Sequence, residues 1–553
     1  MNYKLRFIPL GGIVGVTKNM YVYELYKGDE LKDILIVDCG IGFPRAQEFG
    51  VDFEIPDISY LEDKVDKIRG IVLTHGHEDH ISAVRFYYEQ LGRPRIYGSK
   101  LTTLFIQQKA KERNVVLDME VIDFRKTYSI GDFDVKFIKM THSIPDTTHV
   151  LIKTPAGAIY HGSDFKFDLT PPFGYAPDLY EIAKAGHDGT LCLLSDSLGS
   201  DREGFTLSES AVGKTFEDEI RSTKGMFIMT TFASNISRVR QCAEAALKFN
   251  RKICLLGRSM VQNAEIVKDL GYFPIPRSSI ISERDIPKYK GHQVCVIATG
   301  SQGQFGSAMS RISSDEHRFI HIKKGDKVLF SSDPIPGNEQ QVYDLIEHLY
   351  LLGAEVIYSD VQDQLHASGH GSQGDMLLLM SLVKAKYLIP IGGTIRHQRH
   401  YRELARKMNY DDKDVFLLDE GETVVFENGK ADIGRKVLTK SVYVDAYGVG
   451  DVGDVILRDR QTLSTEGIVM AIIKHTADMK LAEDPIIVSR GFVYGVKDER
   501  ERLFGGAQKV ITDAITKHGH GPNLKRELIS VLEKYFGKET RKTPMVIVEI
   551  IQV

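Results

Sequence analysis

The run His75-Gly76-His77-Glu78-Asp79-His80 constrains this chain more than any other stretch of its sequence. It follows the strand-like GIVLT and precedes an apolar segment of helical spacing. Alternate residues of an extended segment share a face, so His75 and His77 point to one side. Asp79 and His80 then fall at a helix start and aim at a neighbouring position. Imidazole and carboxylate are the ligands that a borderline cation such as zinc selects. Two adjacent ions need two ligand sets, and this one loop can serve both.

The flanking text supplies a sheet edge for such a loop. ILIVDCG, GIVLTHG, VKFIKMTH and AIYHGSD are β-branched runs that end abruptly in Gly, His or Asp. ISAVRFYYEQL and TTLFIQQKAKE read as amphipathic helices between them. The alternation predicts a layered α/β sheet with a site along one edge. His142 after VKFIKMT and Asp164 after AIYHGS are further ligand candidates, although an isolated strand-end His or Asp also serves as a cap or turn residue.

Composition narrows the class. The chain has 553 residues, 42% hydrophobic and 26% charged, which excludes a disordered tail protein, a fibrous repeat and a small disulfide scaffold. Net charge is −4, so a nucleic-acid partner requires a local basic groove. The five cysteines (Cys39, Cys192, Cys242, Cys254, Cys295) form no CxxC pair, and their odd count points to reduced thiols and a cytoplasmic location. No apolar run approaches 18 residues, so no membrane association is expected. Residues 7–16 follow Lys4 and Arg6, but they contain Pro9, Gly11, Gly12 and Gly15 and flow into YVYEL; a β-hairpin is expected there rather than a secretion signal.

From Ser208 to Gly371 a second α/β texture appears, with strands ending in Gly-Ser phosphate-type turns: MFIMTTFASN, ICLLGRSM, VCVIATGSQG and KVLFSSDPIPGN. TFASN and HASGH place small residues and free backbone N–H groups together, and such a turn ahead of a helix cradles a phosphate. A helix and the strand YLIPIGG follow, then Gly-rich, strand-like text from Asp432 to about Leu463. The last segment carries two strands, two helices and the closing strand MVIVEIIQV. Gly448-Val449-Gly450-Asp451-Val452-Gly453 fits GxGxxG, but DVILRD after it reads as a strand, which argues against a dinucleotide site. His518-Gly519-His520-Gly521 reads as a helix-terminating loop.

The motif order Asp, HxHxDH, His, Asp resembles the metallo-β-lactamase superfamily, with Asp38 in IVDCG matching its first motif. That resemblance implies that His75, His77 and His142 hold one zinc, Asp79 and His80 a second, and Asp164 bridges both, while Asp38 orients the metal-bound histidines or water. LLSDSLGSDREGFTLSE, TTFASNISRVRQ, LLGRSMVQNAEI, ATGSQG, FSSDPIPGNE, HASGHGSQGD and SRGFVYG further resemble ribonuclease J, of the β-CASP family, over nearly the whole chain. The resemblance implies an α/β fold: an αββα metallo-β-lactamase sandwich (1–207 and 372–447), an inserted β-CASP α/β domain (208–371), a linker (448–463) and a small C-terminal α/β domain (464–553).

It also implies a zinc-dependent ribonuclease with two Zn2+ per chain, Mn2+ or Mg2+ being alternatives, acting in RNA maturation and decay. Such an enzyme combines 5′-to-3′ exonuclease and endonuclease activity on RNA, preferably 5′-monophosphorylated, through metal-hydroxide attack that leaves a 5′ phosphate. It assembles as a homodimer or homotetramer. Asp79, Asp164, Asp196 and His370 match the catalytic motifs. His370, held by Asp196 or a metal-site carboxylate, is the candidate proton donor to the leaving 3′ oxygen, or else a core histidine bonded to backbone. Ser234, Asn235, Arg238, His366, Ser368, Gly369 and His370 are candidates for holding RNA phosphates, including a 5′ monophosphate, though each could also cap a helix.

In one place the chain departs from the family. The family's last zinc ligand is a histidine in a Pro-x-His-Gly turn, 22 residues after the position of His370; here that position is Gly392. Three readings stay open. Water fills the position, His397 swings in, or the second metal binds weakly. The last allows an alternative function, a weakly catalytic or non-catalytic RNA-binding subunit that partners an active homologue. Ser82-Ala83, where the family has a Gly pair, carries little weight.

Overall fold

Residues 7–16 do belong to a hairpin: strand Tyr3–Gly11 pairs antiparallel with Met20–Lys27. The computed structural model describes residues 2–44, 48–335, 337–359, 361, 367–445, 448–450, 452–476, 480–492, 497–518 and 523–553. The four strand-like runs around the histidine loop are strands Glu30–Val37, Ile68–Val72, Phe133–Lys139 and Gly157–Gly162.

Two sheets hold these elements. An eight-stranded sheet runs from Lys430–Ile433 through the hairpin and Ile68–Val72 to Met119–Val121. A six-stranded sheet runs from Tyr387–Ile391 and Cys192–Asp196 through Gly157–Gly162 to Thr127–Ile130. Their inner faces bury Leu5, Phe7, Tyr23, Val37, Phe137, Val150, Ile389 and Phe426 against one another. Helices Leu179–His187, Gln373–Val383 and Ile395–Lys407 close the outer face of the second sheet through Ile182, Leu379, Met380, Tyr401 and Leu404. The result is an αββα sandwich, because each sheet has two apolar faces to cover. Strands from both sides of the insert complete it. Tyr387–Ile391 lies parallel to Cys192–Asp196, and Val424–Glu427 pairs antiparallel with Tyr3–Gly11.

The insert carries a five-stranded parallel sheet, Lys252–Leu256, Val294–Ala298, Phe227–Thr230, Lys327–Phe330 and Glu355–Ile357, with its own core. The C-terminal unit has strands Ile468–His475, Ile486–Arg490 and Met545–Gln552 backed by helices Lys497–His518 and Leu524–Thr540. All five cysteines are buried free thiols. Among the described residues no helix is long and apolar enough to cross a membrane.

Two elements differ from expectation. ISAVRFYYEQL does not form one helix; Glu78–Ile81 and Val84–Tyr87 are separate single turns. The carbonyl of Asp79 accepts from the backbone N–H of Asn19 (2.9 Å), and the N–H of Ala83 donates to Cys39 (3.0 Å), so the helical ladder is broken between them. DVILRD is not a strand. It opens the helix Asp454–Thr465, inside the segment expected to be a linker. A short apolar run does not separate strand from helix, and here Arg460 fixes the helix by donating to the carbonyls of Phe49 and Gly50 at 3.0 Å. The dinucleotide reading still fails its context, since Gly448–Val449 pairs antiparallel with Val442–Asp445. Asp451, Gly519, His520 and Gly521 lie outside the described residues.

Candidate metal centre and its cavity

The strand ends converge along one edge of the sandwich. His75 lies just beyond Ile68–Val72, His142 beyond Phe133–Lys139, and Asp164 beyond Gly157–Gly162; Asp196 ends its own strand. The parallel register pairs Asp196 with Ile391, so Gly392 follows directly beside it.

Two donor sets share Asp164, His75, His77 and His142 on one side and Asp79 and His80 on the other, and Asp196 with His370 groups around the same carboxylate. In the first set His77 Nδ1 lies 3.1 Å from both His75 Nε2 and His142 Nε2. The other nitrogen of each ring already has a partner. His75 Nδ1 meets Thr74 Oγ1 (3.0 Å), His142 Nδ1 meets the carbonyl of Gly369 (2.6 Å), and His77 Nε2 meets Ser143 Oγ (3.3 Å). Three lone pairs therefore face one point at the spacing of about 3.3 Å that zinc bound at roughly 2.0–2.1 Å imposes on tetrahedral ligands. Burial, followed by neighbouring histidine charge, lowers the pKa of all three, His142 to about 3. They are neutral at physiological pH, the form that binds a cation. This donor chemistry fits a divalent metal.

In the second set His80 Nε2 stands 3.3 Å from Asp164 Oδ2 and 3.6 Å from Asp79 Oδ2. Its Nδ1 is 2.7 Å from Asp38 Oδ2. Asp38 also accepts from the N–H and the hydroxyl of Thr74, both at 2.8 Å, and Thr74 in turn contacts His75. One fully buried carboxylate thus orients a histidine of each set. Burial, opposed by His80 and reinforced by Asp164, pushes Asp79 up to about 6. Asn19 and Thr74 carried no signal of spacing or motif. Asn19 Nδ2 sits 3.3 Å from Asp79 Oδ2 and 3.0 Å from His80 Nε2.

His370 is not a core histidine bonded to backbone. Its Nδ1 is 2.7 Å from Asp196 Oδ2, and its ring stands 5.0 Å from that of His142. Burial alone would lower its pKa, but Asp196 and then Asp164 outweigh it and raise it to about 9. Burial raises the Asp196 carboxyl above the usual carboxylate range, and His370 opposes that rise.

These groups open into a cavity of about 560 Å³ whose far wall is the insert: Thr231 to Asn235, Gly300 to Gln302, and Asp333 to Ile335. Ser234, Asn235, Ser368 and Gly369 line it. Asn235 also caps its helix, accepting from the N–H of Arg238 at 3.2 Å. Ser368 Oγ accepts from the N–H of His370 at 3.1 Å. Arg238 does not reach the cavity. It is fully buried and donates to Glu209 (2.5 Å) and to the carbonyls of Ser331 and Ala367 (2.5 Å each), so it knits the insert together instead of holding phosphate. His366 lies outside the described residues.

Gly392 has φ +64°, and a Cβ there would lie 3.4 Å from Asp196 Oδ1 and 3.7 Å from Asp164 Oδ1. The position faces the carboxylates of Asp196 and of Asp164, which the two sets share, and offers them no side-chain atom. His397 does not replace it. His397 is the third residue of helix Ile395–Lys407, with Nδ1 3.2 Å from the N–H of Thr394, and it is not among the converging donors.

Comparison with known proteins agrees with this geometry. Models of the metallo-beta-lactamase superfamily, the ribonuclease J beta-CASP domain and the ribonuclease J C-terminal domain match residues 14–183, 224–349 and 455–553. Ribonuclease J2 of Bacillus subtilis is 36% identical over 99% of both chains. Ribonuclease J 1 of Streptococcus pyogenes is 36% identical over 97% of this chain and 96% of its own length. This chain belongs to the ribonuclease J family. Membership makes it a metal-dependent nuclease of the metallo-β-lactamase type. A crystal structure of a protein of unknown function from Enterococcus faecalis shares the fold, with TM-score 0.54 and 16% identity over 77% of this chain and all of that one.

Proposed function

We propose that this ribonuclease J family member is a zinc-dependent ribonuclease that degrades 5′-monophosphorylated RNA from its 5′ end and also cuts internally, leaving a 5′ phosphate. The observation that carries the reading is the convergence of two donor sets beside the His370–Asp196 pair at the floor of one cavity. Cations bound there bring the pKa of water to near 7 and offset phosphodiester charge. Three neutral imidazoles in one set favour zinc, and Mn2+ or Mg2+ can serve the more oxygen-rich set.

The chain's own residues do the rest. Asp38, through His80 and Thr74, fixes the ring orientations. The carbonyl of Gly369 sets the His142 tautomer. His370, held protonated by Asp196, donates a proton to the leaving 3′ oxygen. Ser234, Asn235 and Ser368 meet the 5′ phosphate through hydroxyl, amide and backbone N–H groups. The RNA substrate and a role in RNA maturation and decay follow from the family. The buried free thiols support a cytoplasmic setting.

The sheet of the C-terminal unit supports a homodimer or homotetramer. Val469, Ala471 and Val548 are buried beneath its helices, whereas Ile486, Val488 and Ile551 are 41%, 43% and 45% exposed.

Gly392 favours a second reading, an RNA-binding subunit of little activity that partners an active homologue. One experiment separates the two: digestion of 5′-monophosphate and 5′-triphosphate RNA with zinc, manganese or chelator, alongside metal analysis. Faster loss of the 5′-monophosphate RNA, abolished by chelator, with about two metals per chain, supports the enzyme. Binding without cleavage under every metal supports the subunit.

A further inference from the structure

We infer that the solvent face of helix Ile395–Lys407 is the track along which the RNA chain runs between the cavity mouth and the molecular surface; the inference rests on the nuclease reading. A chain of net charge −4 that takes a polyanion needs a local basic surface. Arg238, the obvious cation of the insert, is spent inside the fold. Helix Ile395–Lys407 supplies the surface. Its sequence IRHQRHYRELARK carries five Arg and Lys residues against one Glu.

The charges are placed to one side. Gln398, Tyr401, Leu404 and Ala405 are buried in the core, while Arg396, Arg399, His400 and Lys407 are exposed. Steps of three, four and seven residues put these on a single stripe. Arg396 lines the cavity, with its side chain 65% exposed and its Nη2 3.4 Å from Asp201 Oδ2 and 3.1 Å from His397 Nε2. The helix N-terminus, with its positive end, lies at that mouth. From Arg396 to Lys407 the helix rises about 16 Å, enough for several nucleotides of single strand. Glu403 lies on the same stripe, where its charge is offset by Arg406 (2.6 Å), which also bonds Asp412 (2.6 and 2.7 Å). The side chains of Arg399 and Lys407 make no hydrogen bond or ion pair among the described residues.

The test uses the full chain carrying His370→Ala, which silences cleavage, and single-stranded RNA of about 4 or about 20 nucleotides with a 5′ monophosphate, across a salt series. Adding Arg399→Glu and Lys407→Glu should weaken the long RNA by about tenfold or more and reduce its log–log salt slope by about 1.4, with the short RNA changed less than about twofold. Arg399→Lys with Lys407→Arg should behave like the parent. Lys430→Glu, an exposed charge on the far sheet edge, should leave both lengths unchanged. Equal weakening of both lengths, no change in either, or loss with the conservative pair overturns the track. If the parent binds neither length, the nuclease reading itself falls; if it binds both and only the length dependence fails, the track alone falls.

Discussion

The floor of the cavity and its far wall are built from the same material, strand ends of parallel or mixed sheets, yet they use polar groups in opposite ways. On the floor each ligand ring has one nitrogen fixed by Thr74, Gly369, Ser143 or Asp38; the other nitrogens of His75, His77 and His142 face one point, and that of His80 faces the second set. On the wall the strongest cation, Arg238, turns inward and satisfies Glu209, Ser331 and Ala367. What remains for a ligand there is hydroxyl, amide and backbone. The floor thus sacrifices self-satisfaction for chemistry, and the wall is stable because it does not.

The largest test of that division removes a floor ligand. His77→Ala should reduce RNA cleavage to background, since losing even an outer partner of a metal ligand costs about 10–100-fold. The half-buried ring carries little of the packing, so the thermal melt should stay close to that of the parent. Retained activity would remove the metal assignment. His370→Ala comes next, with a loss of about 10²–10⁴ in rate and unchanged metal content. Asp196→Asn sharpens it through pH. His370 is protonated below its pKa, so donor function fails as pH rises through about 9. Without the Asp196 charge that limb of the rate profile should move to lower pH; a stationary limb would assign it to another group.

Arg238→Met should give the reverse pattern. Breaking a buried pair costs about 3–5 kcal/mol, and Glu209 would be left beside Lys166 alone, 3.3 Å away. The melting temperature should drop by several degrees while zinc affinity at the tri-histidine set holds. A variant as stable as the parent that loses RNA binding would restore Arg238 as a phosphate ligand.

Much of the floor was legible because its chemistry is local. Spacing alone put His75 and His77 on one side and Asp79 and His80 on the other, and the donor sets divide that way. His142, Asp164, Asp196 and His370 lie far apart in sequence, and order, not spacing, tied them together. The rest depended on tertiary contact. Arg238 follows a phosphate-type turn, and nothing in TFASNISRVRQ says that Glu209 waits behind it. Asn19 acts through the Asp79 carbonyl it holds, which no pattern records. DVILRD has the apolar run of a strand, and Arg460, the residue that follows it, decides otherwise.

The two donor sets should also separate on titration. Asp79 must lose its proton to bind a cation, and its pKa stands at about 6; His142 binds neutral, and its pKa is about 3. His80, held protonated by Asp164, Asp79 and Asp38, must lose its proton as well, so affinity at the second set should fall more steeply than about tenfold per pH unit below 6, while the tri-histidine set holds until far lower. Dialysis at pH 5 followed by metal analysis should then leave about one metal per chain. Loss of both together would mean that the sets behave as one site.

The smallest expected effect comes from rebuilding the missing ligand. Gly392→His puts an imidazole on a Cβ 3.4 Å from Asp196 Oδ1 and 3.7 Å from Asp164 Oδ1, ordinary contact distances beside the carboxylate that the two sets share. The backbone there has φ +64°, so the substitution costs about 1–2 kcal/mol of strain and should lower the melting temperature slightly. Against that stands one added nitrogen donor, which should tighten the second cation and shift its preference from manganese toward zinc. Competition dialysis with both metals reads the ratio directly, without reference to activity. A rise in zinc with a small fall in stability would show that the second set is limited by donor count. Unchanged occupancy would place the limit in Asn19, whose amide stands 3.0 Å from the His80 nitrogen that a cation must reach, and Asn19→Ala would then be the variant to raise it.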